Sequence, residues 1–289
     1  MFVCELSFQP CSVTYKARQR FEDLVENLIA PLLGNGQVCG DTHAYWSEDQ
    51  FKVLCKCPRQ DSLDVKYLSE GGKRSYAAVL KECRKRPTWR LLSDPVPRRG
   101  YASWRRSKSL YLFTTFLSDH PPVRSGRDGT PIPSYLLPLR DFSKDHPSYL
   151  KDELYGWASQ YGTFDETWIA SGALEIAAYR QLADPRSKFV REGRELAAKV
   201  EEATGLPTYS YLMRYYGRRR GERRRPCPGC GRPWARRLTD PKFQGLGGFD
   251  FRCDPCRLIS RVAADDTNEQ YAHIGEYRRR TSSRRRSTR

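Results

Sequence analysis

The chain has 289 residues, of which 38% are hydrophobic and 12% aromatic, enough for one large domain or two smaller domains with an apolar core. Its net charge of +17 is concentrated near the end: residues 217–289 hold 20 Lys and Arg against 8 Asp and Glu, whereas residues 1–216 hold 31 against 26. No apolar run approaches a membrane span, and no signal-peptide pattern opens the chain, so we expect a cytoplasmic protein with reduced thiols.

The first third of the chain predicts a sheet with helices packed on it. The predicted strands are 2–8, 50–57, 88–92 and 109–117, and the predicted helices begin at Tyr15 and Ser75. Phe21, Val25 and Leu28 fall on one face of the first helix, which stops at Gly34. Because strands and helices are mixed in this order, we predict an α+β domain over 1–117, with a ferredoxin-like arrangement as one option.

The middle of the chain predicts a long loop followed by helices. The loop covers 118–147 and is rich in Pro, Gly, Ser and Asp. Three helices are expected next, the second opening at a capping box formed by Thr163 and Glu166 and the third ending at Gly205. We expect the segment 118–216 to pack on the first domain and to end in a strand.

Two Cys-x-x-Cys pairs follow a run of arginines. They are Cys227/Cys230 and Cys253/Cys256, and Gly231 follows the first pair, where such a turn often needs a positive φ. Four thiolates on two turns joined by a hairpin are typical of a structural zinc ribbon, so we predict one structural Zn²⁺ ion and a mixed or antiparallel sheet ending in a small C-terminal ribbon.

Iron with the same ligands and a redox pair are the alternatives for these cysteines. A redox pair would lie at a strand-to-helix junction, whereas both pairs here lie in a short segment rich in Pro and Gly. Four protein ligands leave no coordination position for water, so we expect a site that stabilises the fold and performs no catalysis. The predicted boundaries are 217–262 for the ribbon with its basic junction and 263–289 for a disordered, Arg-rich tail.

The segments "GTPIPSYLLP", "LPTYSYLMRYYG", "CPGCGRPW" and "FDFRCDPCRLIS" carry a resemblance to a known family. The chain resembles a bacterial family of zinc-ribbon-containing proteins that have been suggested to bind nucleic acid and otherwise have no assigned function. The resemblance implies a zinc ribbon on Cys227, Cys230, Cys253 and Cys256. Its suggestion of nucleic-acid binding is itself an inference from such ribbons.

The positive charge around the ribbon predicts binding to DNA or RNA, because guanidinium groups neutralise phosphates. The candidate contacts are Arg218, Arg219, Arg220, Arg223, Arg224, Arg225, Arg232, Trp234, Arg236, Arg237, Arg252 and Arg257. The alternative is a protein-interaction module, such as an adaptor or a neutralising partner of another protein, in which the ribbon is purely structural. An enzyme is the weakest hypothesis, since no catalytic constellation stands out.

Three other features leave functional questions open. Cys39, His43, Cys55 and Cys57 could form a second metal site only if they converge in space. The stretch "RRGYASWRRSK" over 98–108 interleaves cations with aromatics, as single-stranded nucleic-acid surfaces do, although a solvated loop is the simpler interpretation. An enzyme hypothesis would gain from a pocket lined by His120, Asp128 or His146.

Overall fold

The computed structural model describes residues 1–92, 104–139, 149–236, 246 and 248–278. These residues form two β-sheets, one of four strands and one of five, and both sheets carry helices. The predicted α+β class, with antiparallel and mixed sheets, is confirmed.

The four-stranded sheet and its helices form what we call the N-terminal module. Its strands are β1 (Phe2–Pro10), β2 (Cys39–Ser47), β3 (Gln50–Cys57) and β4 (Cys83–Leu91). The order is β2-β3-β1-β4, and every neighbouring pair is antiparallel. Alternate residues of β1 and β3 are buried on one face, as the period of two along a strand requires.

Helices α1 (Tyr15–Gly34) and α2 (Glu70–Lys81) flank the core of this module. The predicted apolar face of α1 is confirmed, since Phe21, Val25 and Leu28 are buried in the core. Helix α2 begins earlier than the predicted start at Ser75, because the Ser69 hydroxyl accepts a hydrogen bond from the Gly72 N–H and caps the helix there.

The five-stranded sheet belongs to what we call the C-terminal module. Its strands are β5 (Leu110–Leu112), β6 (Val123–Ser125), β7 (Thr208–Tyr211), β8 (Phe251–Cys253) and β9 (Leu258–Ser260). The order is β6-β5-β7-β9-β8; β7 pairs parallel with β5 and with β9, and the two outer pairs are antiparallel. The ribbon hairpin of β8 and β9 is therefore part of the same sheet as β5 and β7.

The strand predicted over 109–117 does not join the first sheet. It forms only β5, and Leu110 pairs with Ser125 on one side and Thr208 on the other. All three residues of β5 are buried, so the strand needs neighbours at both edges and cover on both faces. Its placement with the N-terminal elements was wrong because sequence spacing does not reveal a partner about 100 residues away.

Three helices complete the C-terminal module: α3 (Tyr149–Ala170), α4 (Glu175–Ala183) and α5 (Lys188–Thr204). The predicted capping box is wrong, because Thr163 and Glu166 lie inside α3 and the Thr163 hydroxyl donates to the Ser159 carbonyl. Helix α5 is confirmed: Ser187 caps its start, and Gly205 ends it with a φ of +70°. Among the described residues, no helix is both long and apolar enough to cross a membrane.

The predicted disordered tail is ordered over 263–278. Asp265 forms an isolated bridge with Tyr216, and the Ile274 side chain is buried. The guanidinium of Arg214 donates to the Ile274 carbonyl at 2.8 Å, which ties the segment to the body. The disorder prediction relied on the charge of the final arginines and gave no weight to the few apolar residues that anchor the segment. Residues 279–289 lie outside the described residues.

Candidate metal centre

The first Cys-x-x-Cys turn has the backbone geometry of a metal-binding knuckle. Gly231 has a φ of +74°, and its N–H donates to the Cys227 carbonyl at 2.8 Å. The Arg232 N–H donates to the Cys230 sulfur, which lowers the cost of a thiolate there. The positive φ expected after the first pair is therefore present, and it directs both thiols to one side of the turn.

The second turn joins β8 to β9 and repeats this arrangement. The Cys256 N–H donates to the Cys253 sulfur, and the next residue, Arg257, has a φ of +51°. A positive φ is uncommon in a residue other than glycine. Here the strain is offset because the Arg257 guanidinium forms two hydrogen bonds with Glu201 on α5, at 2.7 and 2.8 Å.

The four sulfurs of Cys227, Cys230, Cys253 and Cys256 lie within 4.8 Å of one another. In a tetrahedral site with metal–sulfur bonds of about 2.3 Å, the sulfurs are about 3.8 Å apart. Cys230 and Cys253 are already 3.6 Å apart. The donor set and its spacing therefore fit a tetrahedral, thiolate-binding metal ion.

Burial and crowding make this cluster unfavourable for thiolates unless a cation is bound. Burial raises the pKa of Cys253 well above its ordinary value, and it raises that of Cys256 to about 12, assisted by the charge of Cys227. A divalent metal reverses this balance because its charge stabilises the thiolates directly. The site is consequently suited to a resident ion, and all four donors come from the protein.

Apolar side chains pack against the cysteines of the candidate metal site. Cys227, Cys253 and Cys256 pack with Val190 of α5, Leu212, Trp234, Phe251 and Leu258. The rings of Trp234 and Phe251 are stacked, with their centroids 5.0 Å apart. Gly229 leaves the space that the site needs, since a Cβ atom there would lie 2.8 Å from the Cys256 sulfur.

A buried ionic cluster lies beside the metal site. Glu222 accepts hydrogen bonds from Arg214 at 3.0 and 3.2 Å and pairs with Arg225 at 3.0 Å, and both arginine side chains are only 2% exposed. Burial opposes ionisation of Glu222, but Arg214 and Arg225 outweigh it and hold the pKa of this carboxyl below its usual value. The role of Glu222 was not predicted, although Glu222 is the single acidic residue inside "GRRRGERRRP".

The predicted nucleic-acid contacts divide into three groups. Six arginines are exposed: Arg218, Arg219, Arg220, Arg223, Arg224 and Arg232. We call these six residues the arginine junction. Two of them have carboxylate partners, because Arg218 pairs with Glu276 and Arg223 with Asp250.

Two predicted contacts are wrong because the side chains are buried. Arg225 is 4% exposed and stacks over the rings of Trp234 and Phe251, at 4.9 and 4.6 Å from their centroids. Trp234 is 3% exposed, and its indole N–H donates to the Arg225 carbonyl. Both side chains build the interior beside the metal site and are not accessible to a partner.

The remaining arginines of the ribbon bind to the protein itself. Arg236 donates to the Leu246 and Phe249 carbonyls, and Arg252 pairs with Asp254 at 2.5 Å. Arg257 is paired with Glu201 as described above. These bonds occupy their guanidinium groups, so they are weaker candidates for phosphate contacts than the arginine junction. Arg237 lies outside the described residues.

The second metal site considered from the sequence is not assembled. Cys39, Cys55 and Cys57 are buried, whereas His43 is exposed. Within the described part of the chain, the four ribbon cysteines form the sole group of three or more potential ligands that converge. Cys55 and Cys57 do share one face of β3, as predicted, and this face contributes to the core of the N-terminal module.

Only some of the other candidate residues predicted from the sequence lie in the described part of the chain. In the stretch 98–108, residues 98–103 lie outside the described residues; Trp104 donates to the Leu136 carbonyl and packs against the C-terminal core. His120 lines a cavity between the two modules, Asp128 binds the backbone of Thr130, and His146 lies outside the described residues.

The fold and the cysteine cluster define a two-sheet α+β protein with four converging cysteines that could hold a metal ion. Three domains of unknown function match the chain: DUF8589 over 1–93, DUF2310 over 105–213 and DUF8594 over 217–266. An uncharacterised protein of Haemophilus influenzae is 30% identical over 244 residues, which cover 79% of this chain and 86% of that protein. The chain belongs to the family of this Haemophilus influenzae protein.

A second uncharacterised protein of Haemophilus influenzae is 35% identical over 153 residues, covering 53% of this chain and 70% of that protein. Among solved structures, an antibiotic biosynthesis monooxygenase is 17% identical with a TM-score of 0.27, and it covers 34% of this chain and 100% of its own. A dimeric ferredoxin-like protein of unknown function from Jannaschia sp. CCS1 is 13% identical with a TM-score of 0.26; the match covers 32% of this chain and 100% of that protein.

Proposed function

We propose that this protein is a structural zinc-ribbon protein that binds nucleic acid through the arginine junction. The observation that carries the proposal is the exposure of six arginines within 15 residues, directly beside and within the first metal-binding turn. The metal, the apolar cluster and Glu222 fix the backbone on which these arginines stand. Four of the six side chains, those of Arg219, Arg220, Arg224 and Arg232, carry no carboxylate partner among the described residues and can follow a phosphate backbone.

Zinc is the metal that this donor set favours. Four thiolates are soft ligands in a tetrahedral arrangement, which suits Zn²⁺ and leaves no position for water or substrate. Iron remains the competing metal with the same ligands. Metal analysis of the purified chain should give about one zinc per chain, and a chain that carries iron or no metal would contradict this assignment.

The charge distribution supports phosphate as the ligand. Arg219, Arg220, Arg224 and Arg232 form no ion pair with any carboxylate of the described residues. The pairs of Arg218 and Arg223 are partly exposed, so they are screened and can exchange for phosphate contacts at small cost. Such contacts are made to the backbone, so the proposal implies binding with little dependence on nucleotide sequence.

A salt titration of nucleic-acid binding tests the proposal. The test variant carries glutamine at Arg219, Arg220, Arg224 and Arg232. The control variant has the same change of charge in the N-terminal module, with glutamine at the exposed residues Lys16, Arg74, Lys81 and Arg86. Each lost phosphate contact makes the plot of log affinity against log salt less steep by about 0.9 for duplex DNA, so four contacts change the slope by about 3 to 4.

The comparison between the two variants decides the outcome. The junction variant should lose most of the salt dependence, and the control variant should keep it. No binding by the wild-type protein, or equal losses in both variants, would refute the proposal. Equal losses would mean that net charge alone attracts the polyanion, without a defined surface.

A protein-interaction module is the second candidate, and exposed apolar residues favour it. Leu117 is 79% exposed, and Ile169 and Leu174 are 54% and 58% exposed on either side of the turn between α3 and α4. Affinity purification with and without nuclease separates the two functions. A partner protein that is retained after nuclease treatment supports this second candidate, because contacts through nucleic acid are then removed.

A further inference from the structure

A cavity of about 370 Å³ opens between the two modules. One wall is formed by the end of α1 and the start of β2, and the other by the segment 114–122 and by α3. We call this cavity the intermodule cleft. Its volume lies in the range of small-molecule sites, which occur preferentially where domains meet.

Polar contacts across the module boundary fix the two walls of the cleft. Lys56 of β3 pairs with Asp119 at 2.5 Å, and Lys151 of α3 donates to Asn35 at 2.9 Å. Gly40 brings the backbone of β2 close to the second wall, since a Cβ atom there would lie 2.5 Å from an oxygen of Asp119. These contacts hold the two walls of the cleft at a fixed distance.

The charge of the cleft is opposite to that of the whole chain. Asp41, Asp119 and Glu166 line it, and no Lys or Arg does so among the described residues, although the net charge of the chain is +17. Lys56 offsets Asp119, which leaves two carboxylates for a ligand. Burial raises the pKa of Cys39 to about 12, so this lining thiol stays neutral and does not add to the negative charge.

Aromatic side chains are exposed in the same cavity. Phe116 is 39% exposed and Tyr155 is 42% exposed, and both line the cleft. At the inner wall, Thr114 and Ser134 are buried and line it with hydroxyl groups. Aromatic faces beside carboxylates attract organic cations, because the ring faces and the carboxylates are both negative.

A bare metal ion does not fit this cleft. Its carboxylates do not form a converging group of ligands, since the four ribbon cysteines are the sole such group in the described part of the chain. A cation that spans the distance between separated carboxylates and aromatic rings must be larger and partly apolar. Tyr155 and Glu166 are 11 residues apart on α3, about 16 Å along the helix axis, so they line opposite ends of the cleft. Phe116 lies at the Glu166 end, because its N–H donates to Asp165. We propose that the intermodule cleft binds a small organic cation, an ammonium or guanidinium compound, with Phe116 against its apolar part and Glu166 near its charge.

Binding of charged and uncharged probes to the full chain tests this proposal. The probes are choline, agmatine and 3,3-dimethylbutan-1-ol, which has the shape of choline without its charge. We expect choline or agmatine to bind at low millimolar concentration or better in calorimetry or saturation-transfer NMR, and the uncharged alcohol to bind at least tenfold more weakly. Failure of both cations to bind at 10 mM, or equal binding of choline and the alcohol, would overturn the proposal.

Variants locate the binding site. Phe116→Ala should weaken cation binding by roughly two- to thirtyfold, the range of cation–π contributions. Leu117→Ala is the matched control, because Leu117 is adjacent and exposed but does not line the cleft. Glu166→Gln should weaken binding, and Glu192→Gln should not. Unchanged affinity in the Phe116 variant would place the cation elsewhere and refute the site.

The result is independent of nucleic-acid binding. The arginine junction and the cleft share no residue, so Phe116→Ala should leave the affinity for DNA or RNA unchanged. Conversely, glutamine at the junction arginines should leave choline and agmatine binding unchanged. Each proposal can therefore fail while the other stands.

Discussion

Substitution of Glu222 by glutamine removes the carboxylate that pairs with two buried guanidinium groups. The side chains of Arg214 and Arg225 are each 2% exposed, so water cannot replace the lost carboxylate. Breaking a buried pair in this way costs about 3–5 kcal/mol. Glu276 remains 3.6 Å from Arg214 and is partly exposed, which favours the lower end of that range.

The expected loss in Glu222→Gln is therefore about 3 kcal/mol, or a fall in melting temperature of about 6–12 °C for a chain of this size. Thermal unfolding followed by circular dichroism measures it. Glu192→Gln is the control, because the Glu192 side chain is 41% exposed and its ion pair with Lys188 is long, at 3.6 Å; its loss should stay within about 0.5 kcal/mol. Similar melting temperatures for the two variants would refute the role assigned to the buried cluster.

The same variant should release metal faster to a chelator. Arg225 stacks over Trp234 and Phe251, whose rings belong to the cluster under the metal ligands. The pKa of Glu222 is lowered in the folded state. Its ion pairs therefore stabilise the fold above the ordinary carboxyl pKa, and this stabilisation of the fold is lost as pH falls through the lowered value. Metal release from the wild-type chain that is already as fast as from the variant would contradict this coupling.

Three further changes test the metal site and the core. Cys256→Ser or prolonged chelation should remove the metal, lower the free energy of unfolding and alter the tryptophan fluorescence, because Trp234 packs against the cysteines. An unchanged free energy of unfolding would contradict a structural ion. Gly229→Ala should lower metal affinity because its Cβ would crowd the Cys256 sulfur, whereas Gly156→Ala, with open space in α3, should not. Asp165→Asn should stabilise the fold at pH 7, since burial raises the pKa of this carboxyl and its stability contribution is lost as pH rises through that value; a destabilised variant in urea unfolding would contradict this.

Local signals in the sequence predicted the convergence of the four cysteines and the end of α5. The Cys-x-x-Cys spacing predicts each turn, Gly231 follows the first pair with a positive φ, and Gly205 ends α5 by its own conformation. Such features depend on covalent geometry and on neighbours in the chain, so they can be read without knowledge of the fold.

Exposure could not be predicted in the same way. Arg224 and Arg225 are adjacent and chemically identical, yet one is exposed and the other is buried against Trp234 and Glu222. Which of them turns inward depends on a carboxylate and two rings contributed by tertiary packing. The pairing of β5 with β7 could not be predicted either, because the sequence of a buried strand does not indicate which distant strand pairs with it.

The parallel pairings of β7 have a consequence for the order of folding. Leu110 pairs with Thr208, and Ser210 pairs with Leu258, so the sheet joins segments that leave the ribosome far apart in time. The strands that carry the second metal-binding turn are the last to emerge. β7 therefore gains its second neighbour only after β9 has been synthesised, and the ribbon hairpin completes the described part of this sheet last.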